Sequence, residues 1–94
     1  MTQVLEALSL ANQVRSDRAA LKREIYRGET TVAEVLADPP AFLARMPIGE
    51  LIRAQALWGP TRSRKLLRRA DVRETRRIGE LTERQRGLIT ELLP

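Results

Sequence analysis

The residues of this chain that are best suited to chemistry are arginines, and they are concentrated in one stretch. The 94 residues include 17 Lys plus Arg against 12 Asp plus Glu, which gives a formal net charge of +5. Eight of the basic residues fall in residues 62–77, where the only acidic residues are Asp71 and Glu74. Because a planar guanidinium group can bind phosphate oxygens in a bidentate way, this clustering favours a nucleic acid as the partner.

The residue types on which most enzymes depend are missing from the sequence. The chain has no cysteine and no histidine, so thiol nucleophiles, imidazole bases and the usual zinc ligands are absent. It also has no run of about eighteen apolar residues that could span a membrane, and its first residues do not resemble a secretory signal. We therefore expect a protein that is not an enzyme, that has no metal or cofactor, and that is not bound to a membrane.

The sequence predicts a helix N-terminus beside the arginine cluster. Residues 57–60 (Leu-Trp-Gly-Pro) predict a tight turn, and Pro60 suits the first position of a helix that runs to about Arg69. The first amides of a helix have no partner within it and lie at the positive end of its dipole, so they bind phosphate. The candidate contacts around this turn are Gly59, Thr61, Arg62, Ser63 and Arg64.

Other basic residues are candidate phosphate contacts outside this turn, namely Arg68, Arg76 and Arg77 and, on the first helix, Arg18 and Lys22. Such contacts carry little sequence information, so we expect specificity to come from DNA shape and deformability. Aromatic residues make up only 3% of the chain, which argues against single-strand binding through stacked bases. We expect Trp58 to pack on the core rather than to intercalate.

The first element that positions these residues is a long helix. Residues 3–27 contain no glycine or proline, Thr2 is a candidate N-cap, and Gly28 suits the position after the last turn. At 1.5 Å per residue this helix would be about 37 Å long, which is more than a small core needs. We therefore expect part of it to project. Its apolar stripe consists of Val4, Leu8, Ala11, Val14, Leu21 and Ile25.

The remaining elements are shorter helices and turns. Thr31 and Glu34 form a predicted capping box, and Asp38 is a predicted cap for a helical piece over residues 41–45. A further helix is predicted over residues 48–56, and a second turn over 78–81. Thr82 and Gln85 form another capping box that opens a last helix, which runs to Leu93. No stretch shows the strict alternation of a strand, so the predicted fold is all-α.

The order of these elements resembles the actinobacterial-type integration host factors. In that family a long N-terminal helix with spaced basic residues precedes a helix-two-turns-helix module. Leu57 stands where the family's turn has its first glycine, and Pro60 stands where it has a basic residue. The resemblance is carried by residues 18–22, 46–51, 57–64, 73–78 and 79–82.

The resemblance implies one domain over residues 1–94. Within it, residues 1–28 form a long basic amphipathic helix, 29–47 form short helices and turns, and 48–93 form the DNA-binding module. By resemblance, Gly59, Thr61, Arg62 and Arg64 fall on the DNA-contacting turn, and Arg76 and Arg77 fall near the second turn.

The function implied by the resemblance is that of a cytoplasmic, nucleoid-associated architectural protein. Such a protein binds double-stranded DNA with little sequence preference through the backbone and the minor groove, and it bends or compacts the DNA. The family also assists phage integration, which implies an integrase or recombination complex as a further partner. We expect the chain to act as a monomer without a cofactor.

Two other functions remain open at this point. A helical protein–protein adaptor would use the long first helix, and it predicts an exposed apolar patch there and no retention on DNA at moderate salt. A structured-RNA binder is the other alternative, because ribosomal proteins also use helix-two-turns-helix modules. Competition between duplex DNA and RNA would separate that alternative from DNA binding.

Overall fold

The computed structural model describes residues 2–94, and the regular structure in them is helical. The one strand-like pairing among these residues is an isolated antiparallel bridge between Pro47 and Arg77. The prediction of an all-α fold is therefore confirmed. The elements in chain order are α1 (Thr2–Tyr26), α2 (Val32–Ala37), a first 3-10 turn (Ala41–Leu43), α3 (Ile48–Arg53), α4 (Pro60–Arg69), a second 3-10 turn (Ile78–Glu80) and α5 (Glu83–Leu92).

The long first helix begins and ends one residue earlier than the sequence predicts, and Gly28 terminates it as predicted. Gly28 has a φ of 77° and its N–H group donates to the Ile25 carbonyl at 3.1 Å, while the Glu29 N–H donates to the Glu24 carbonyl at 2.9 Å. These two bonds form a Schellman motif, which needs a left-handed residue where glycine stands. At the other end Thr2 is already helical, so the prediction that it is the N-cap is wrong.

In the segment after α1, the two predicted helix caps at Thr31 and Asp38 do not form entirely as predicted. The Glu34 N–H donates to Thr31 Oγ1 at 3.1 Å, but the Glu34 carboxylate accepts from Thr30 Oγ1, so only half of the predicted capping box forms. Asp38 ends α2 and does not cap the next helical piece, which is a three-residue 3-10 turn after Pro40. Because a residue before proline avoids helical geometry, two consecutive prolines delay the start of that turn.

The later helices agree more closely with the sequence. Helix α4 has the predicted bounds, whereas α3 ends at Arg53 instead of near Ala56. Both halves of the second capping box are present, since the Gln85 N–H donates to Thr82 Oγ1 at 3.1 Å and the Thr82 N–H donates to Gln85 Oε1 at 2.9 Å. These bonds satisfy first-turn donors of α5 that would otherwise lack partners.

One hydrophobic core joins α2, α3, α4, α5 and the two 3-10 turns, and α1 contributes to it only near its C-terminus. Ile25 is buried and Leu21 is partly buried against the core. The N-terminal half of α1 lies beyond the globule, and the large apolar side chains there are more than half exposed. The prediction that part of this helix projects is confirmed. The exposed apolar side chains of α1 are Val4, Leu5, Leu8 and Leu10.

The loop that follows α4 is held in place by backbone hydrogen bonds to residues 44–48, which lead into the first residue of α3. The bonds join the Ile48 N–H to the Arg76 carbonyl at 2.8 Å and the Ile78 N–H to the Met46 carbonyl at 2.9 Å. A further bond joins the Gly79 N–H to the Ala44 carbonyl at 2.9 Å. A Cβ atom on Gly79 would lie 2.9 Å from that same carbonyl oxygen, so the close approach requires glycine.

Candidate nucleic-acid interface

The N-terminus of α4 is open to solvent and keeps unused backbone donors. Gly59 is the N-cap and Pro60 is the first helical residue, and both are exposed. The first i to i−4 bond of the helix runs from the Ser63 N–H to the Gly59 carbonyl at 3.1 Å. The N–H groups of Thr61 and Arg62 precede that bond, so they have no acceptor within the helix. A Cβ placed on Gly59 would meet nothing within 4 Å, so a ligand backbone can approach closely.

The turn that leads into α4 has a glycine-like backbone at a leucine. Leu57 has a φ of 68°, in the left-handed region that L-residues rarely adopt. Its side chain is 93% exposed. The turn thus keeps the backbone geometry that a glycine would adopt at this position, although the residue there is leucine.

Trp58 and Arg62 link the turn to the core. Trp58 is partly buried against the hydrophobic core, which confirms the expectation that it packs there. The guanidinium carbon of Arg62 lies 3.9 Å from the centroid of the Trp58 ring. A cation over an aromatic face is attracted by the ring quadrupole, so Arg62 is held at the turn while its exposed edge stays available to a ligand.

Ser63 is the one predicted contact whose side chain does not reach the surface. Its side chain is fully buried, its hydroxyl has no hydrogen-bond partner among residues 2–94, and its N–H is used within α4. The prediction that its hydroxyl contacts a surface ligand is therefore wrong, and we leave Ser63 out of the contact surface. The physical reason is helical spacing, since Ser63 lies on the same face as the buried Leu66 and Leu67.

A single carboxylate, that of Glu74, faces two arginines beside α4. Arg64 Nε lies 3.8 Å from Glu74 Oε2 and also donates to the Pro60 carbonyl at 3.3 Å, whereas Arg53 Nη1 lies 3.7 Å from the same Glu74 oxygen. All three side chains are at least one third exposed. Sequence reasoning missed Arg53, because it lies outside the basic cluster and its partner Glu74 is distant in the chain.

The second turn carries Arg76 and Arg77, and both lie near one carboxylate. Arg76 Nη1 is 3.8 Å from Glu80 Oε2, and Arg77 Nε is 4.0 Å from Glu80 Oε1. These pairs are exposed and therefore weak, so a phosphate could replace the carboxylate. Together with Arg73 and Gln85, the two arginines line an open groove beside the second turn.

The two predicted contacts on α1 lie where that helix joins the globule. Arg18 is half-buried, and its Nε donates to the Phe42 carbonyl at 2.8 Å. Lys22 Nζ lies 3.8 Å from Glu50 Oε2. Arg18 therefore holds α1 against the first 3-10 turn, whereas Lys22 lines an open pocket together with Arg53.

Most of the basic cluster remains free of intramolecular pairing. Within the described part of the chain, five of its exposed basic side chains take part in no ion pair. Two of them lie in the first turns of α4, where their positive charge adds to that of the helix N-terminus, two lie in its last turn and one lies in the loop that follows. The five are Arg62, Lys65, Arg68, Arg69 and Arg73.

Residues 2–94 contain no group of three or more His, Cys, Asp or Glu side chains that could hold a metal ion. No helix among them is both long and apolar enough to cross a membrane.

The fold and this surface define a small helical protein of the helix-two-turns-helix class with a basic face. The chain is 31% identical over 87 residues to the integration host factors of Mycobacterium tuberculosis and Mycolicibacterium smegmatis, a match that covers 90% of this chain and 83% of each relative. The chain therefore belongs to the integration host factor family of these mycobacteria, as the resemblance in its sequence predicts. No protein-family model matches it.

The fold is shared with a solved structure described as sIHF bound to an 8 bp palindromic DNA. The TM-score is 0.76 at 21% sequence identity, and the match covers 84% of this chain and 91% of that one. At this level of identity the likeness establishes the fold alone.

Proposed function

We propose that the protein is a nucleoid-associated architectural protein that binds double-stranded DNA with little sequence preference. The observation that carries the proposal is the exposed N-terminus of α4, where the free amides of Thr61 and Arg62 lie among unpaired basic side chains. A phosphate bound there would meet backbone donors, a helix dipole and guanidinium groups together. The family membership and the shared fold with a DNA-bound protein support the same function.

In this proposal the contacts fall on two adjoining turns. The first turn contributes Gly59, Thr61, Arg62 and Arg64, and Arg68 extends it along α4. Arg76 and Arg77 contribute a second set by exchanging the Glu80 carboxylate for phosphate. Because these contacts surround turns and do not form a side-chain stripe on an inserted helix, they suit backbone and sugar on either side of a minor groove.

The proposal also covers how the protein would act in the cell. It binds as a monomer in the cytoplasmic nucleoid, bends or compacts DNA, has no catalytic activity, and can assist an integrase complex. Bending follows if the two turns reach phosphates on both sides of the groove only when the duplex is deformed, because the extra contacts offset the energy of deformation.

The direct test is binding to a mixed-sequence duplex by fluorescence anisotropy at several salt concentrations. Neutralising three to six phosphates predicts a slope of log K against log salt of about −3 to −5, at about −0.9 per contact. Two unrelated duplexes should give the same slope. Absence of binding near 50 mM salt would contradict DNA binding, and stronger binding to structured RNA in competition would redirect the proposal to RNA.

The contact surface is tested with the double variant Arg62→Ala and Arg64→Ala. It should weaken binding equally on unrelated duplexes and reduce the size of the salt slope by about 2, because two phosphate contacts are lost. Helicity by circular dichroism should be unchanged. The double variant Arg15→Ala and Arg84→Ala is a charge-matched control, since both arginines are exposed and form none of the ion pairs among residues 2–94. A loss of affinity on only one sequence would contradict the phosphate-contact model.

A second candidate function is supported by a separate observation, the apolar side chains exposed on the N-terminal half of α1. They form the patch that a protein–protein adaptor requires, and they do not overlap with the basic cluster. The double variant Val4→Ser and Leu8→Ser should leave DNA affinity unchanged. If it abolishes self-association in sedimentation velocity or capture of a recombinase, α1 is a protein-binding arm. If it weakens DNA binding instead, the arm belongs to the DNA surface.

A further inference from the structure

The exposure and the backbone conformation of Leu57 are both unfavourable for the stability of the fold. Its side chain is 93% exposed, more than any other exposed large hydrophobic side chain in residues 2–94. Its backbone has a φ of 68°, which is disfavoured for a side chain larger than that of glycine. It therefore adds nothing to the core while it strains the turn, so it is available to a partner outside the chain.

The turn that carries Leu57 is stabilised by hydrogen bonds and by the packing of Trp58 on the core. The Trp58 N–H donates to the Gln55 carbonyl at 3.2 Å, and Gln55 Nε2 donates to the Ile52 carbonyl at 3.0 Å. Trp58 itself packs on the core below Arg62. Leu57 thus stands on a firm support and points into solvent, whereas the tryptophan beside it is occupied. A side chain that separates stacked bases needs such a support, because it must push against the stack.

The surroundings of Leu57 favour a polyanion as the partner. Gly59 and the free amides of α4 follow it directly in the chain, and the exposed Arg62 and Lys65 lie on the first turns of that helix. The apolar side chain of Leu57 thus lies among groups that bind phosphate. Once these groups bind the DNA backbone on either side of it, the leucine side chain is positioned to contact the bases. The gap between two base pairs is the apolar surface that DNA offers there.

We propose that Leu57 is a wedge that inserts from the minor groove between two base pairs and kinks the DNA held by α4. The proposal rests on the duplex-DNA binding proposed above. Insertion removes the leucine side chain from water and unstacks one base step. Flexible pyrimidine–purine steps such as TA unstack most easily, so the wedge gives a preference for deformable sites without any hydrogen bond to a base.

The test uses duplexes of equal length that carry 2-aminopurine either in a central TA step or in a central A-tract, with a donor and an acceptor dye at the ends. Saturating wild-type protein should raise both 2-aminopurine emission and energy transfer, and more so at the TA step. Leu57→Gly and Leu57→Ala should show neither rise and should bind about three- to tenfold more weakly. Leu57→Met, which keeps a long apolar side chain, should retain both signals.

Salt dependence separates the wedge from the charged contacts. Because leucine carries no charge, Leu57→Gly should leave the slope of log K against log salt unchanged, whereas Arg62→Ala should reduce its size by about 0.9. Leu57→Gly also relaxes the left-handed backbone, so we expect its fold to be retained, and unchanged circular dichroism would exclude unfolding as the cause of a lost signal.

The outcomes distinguish the wedge from the function on which it rests. If Leu57→Gly bends and unstacks DNA as wild type does, the wedge is wrong while DNA binding stands. If wild type forms a dimer that Leu57→Gly abolishes, Leu57 is a protein contact and the wedge is wrong. If wild-type protein binds no duplex at all, the proposed function fails and the wedge fails with it.

Discussion

Arg62 and Trp58 stack on each other, with the guanidinium carbon 3.9 Å from the centroid of the indole ring. The ring rests on the hydrophobic core and the cation covers its outer side. A cation–π contact at an exposed site contributes about 0.5–1 kcal/mol, and it also restricts the many rotamers of an arginine. The packing of Trp58 on the core therefore holds the positive charge of Arg62 beside the α4 N-terminus.

Replacing Trp58 should reduce stability and DNA affinity together. For Trp58→Leu we expect a loss of about 1–3 kcal/mol in the free energy of unfolding, because a large partly buried ring is removed. DNA affinity should fall severalfold as Arg62 loses its support. Trp58→Phe keeps an aromatic face and should lose less of both. Urea unfolding followed by circular dichroism and anisotropy titration measure the two effects, and unchanged affinity in Trp58→Leu would show that the stacking does not position Arg62.

Glu74 forms ion pairs with Arg53 and Arg64, so removing its charge should strengthen DNA binding. Its carboxylate lies within 3.8 Å of both Arg53 and Arg64, so Glu74→Gln frees two guanidinium groups and removes one negative charge. We expect about a two- to fivefold gain in affinity at low salt, which shrinks as salt screens the charges. Because the pairs are exposed, the free energy of unfolding should change by less than about 1 kcal/mol.

The control for this prediction is Glu91→Gln. Glu91 is exposed on α5 and forms none of the ion pairs found in residues 2–94, so its removal changes the net charge equally without freeing a partner. An equal gain in both variants would mean that net charge alone sets the affinity and that Glu74 has no special part.

Local signals in the sequence were enough to predict the elements that depend on local chemistry. Pro60 at the first position and the pair Thr82 and Gln85 predicted helix starts that the structure confirms, and Gly28 predicted a helix end. The prediction that Asp38 caps a helix was wrong for a local reason too. The two prolines that follow this residue prevent a helix from starting there.

The site could be predicted only in part, because some of its geometry is tertiary. The exposed turn at Gly59 followed from local residue types, but the burial of Ser63 depends on which face of α4 meets the core. The shared use of Glu74 by Arg53 and Arg64 depends on how α3, α4 and the following loop pack. The positive φ of Leu57 is contrary to its residue type, so no propensity could indicate it.

Arg18 is predicted to matter for stability more than for DNA binding. Its half-buried Nε donates to the Phe42 carbonyl at 2.8 Å, and this bond ties α1 to the first 3-10 turn. Arg18→Ala should lower the free energy of unfolding by about 1–2 kcal/mol, since a charged hydrogen bond is lost. Arg15→Ala, one turn earlier and exposed, should leave stability within about 0.5 kcal/mol of wild type. If instead the Arg18 variant keeps its stability and loses DNA affinity, the side chain contacts DNA as the sequence first indicated.

Two glycines, Gly79 in the second 3-10 turn and Gly87 in α5, should respond to alanine in opposite directions. A Cβ on Gly79 would lie 2.9 Å from the Ala44 carbonyl oxygen and 3.1 Å from the Ala44 Cβ, so Gly79→Ala must push apart two hydrogen-bonded segments. We expect a loss of about 1–3 kcal/mol in the free energy of unfolding. A Cβ on Gly87, in the middle of α5, would meet nothing within 4 Å, so Gly87→Ala should stabilise by about 0.5–1 kcal/mol.

The same pair tests whether the second turn takes part in DNA binding. Gly79 follows Arg77 and Ile78, so displacing it from Ala44 shifts the backbone that presents Arg76 and Arg77. Gly79→Ala should therefore weaken DNA binding even below the temperature at which it unfolds, while Gly87→Ala binds as wild type does. Anisotropy titrations at 10 °C, with circular dichroism to confirm that both variants are folded, make the comparison. Equal affinity of the two folded variants would exclude Arg76 and Arg77 from the contact surface and leave binding to the turn at Gly59.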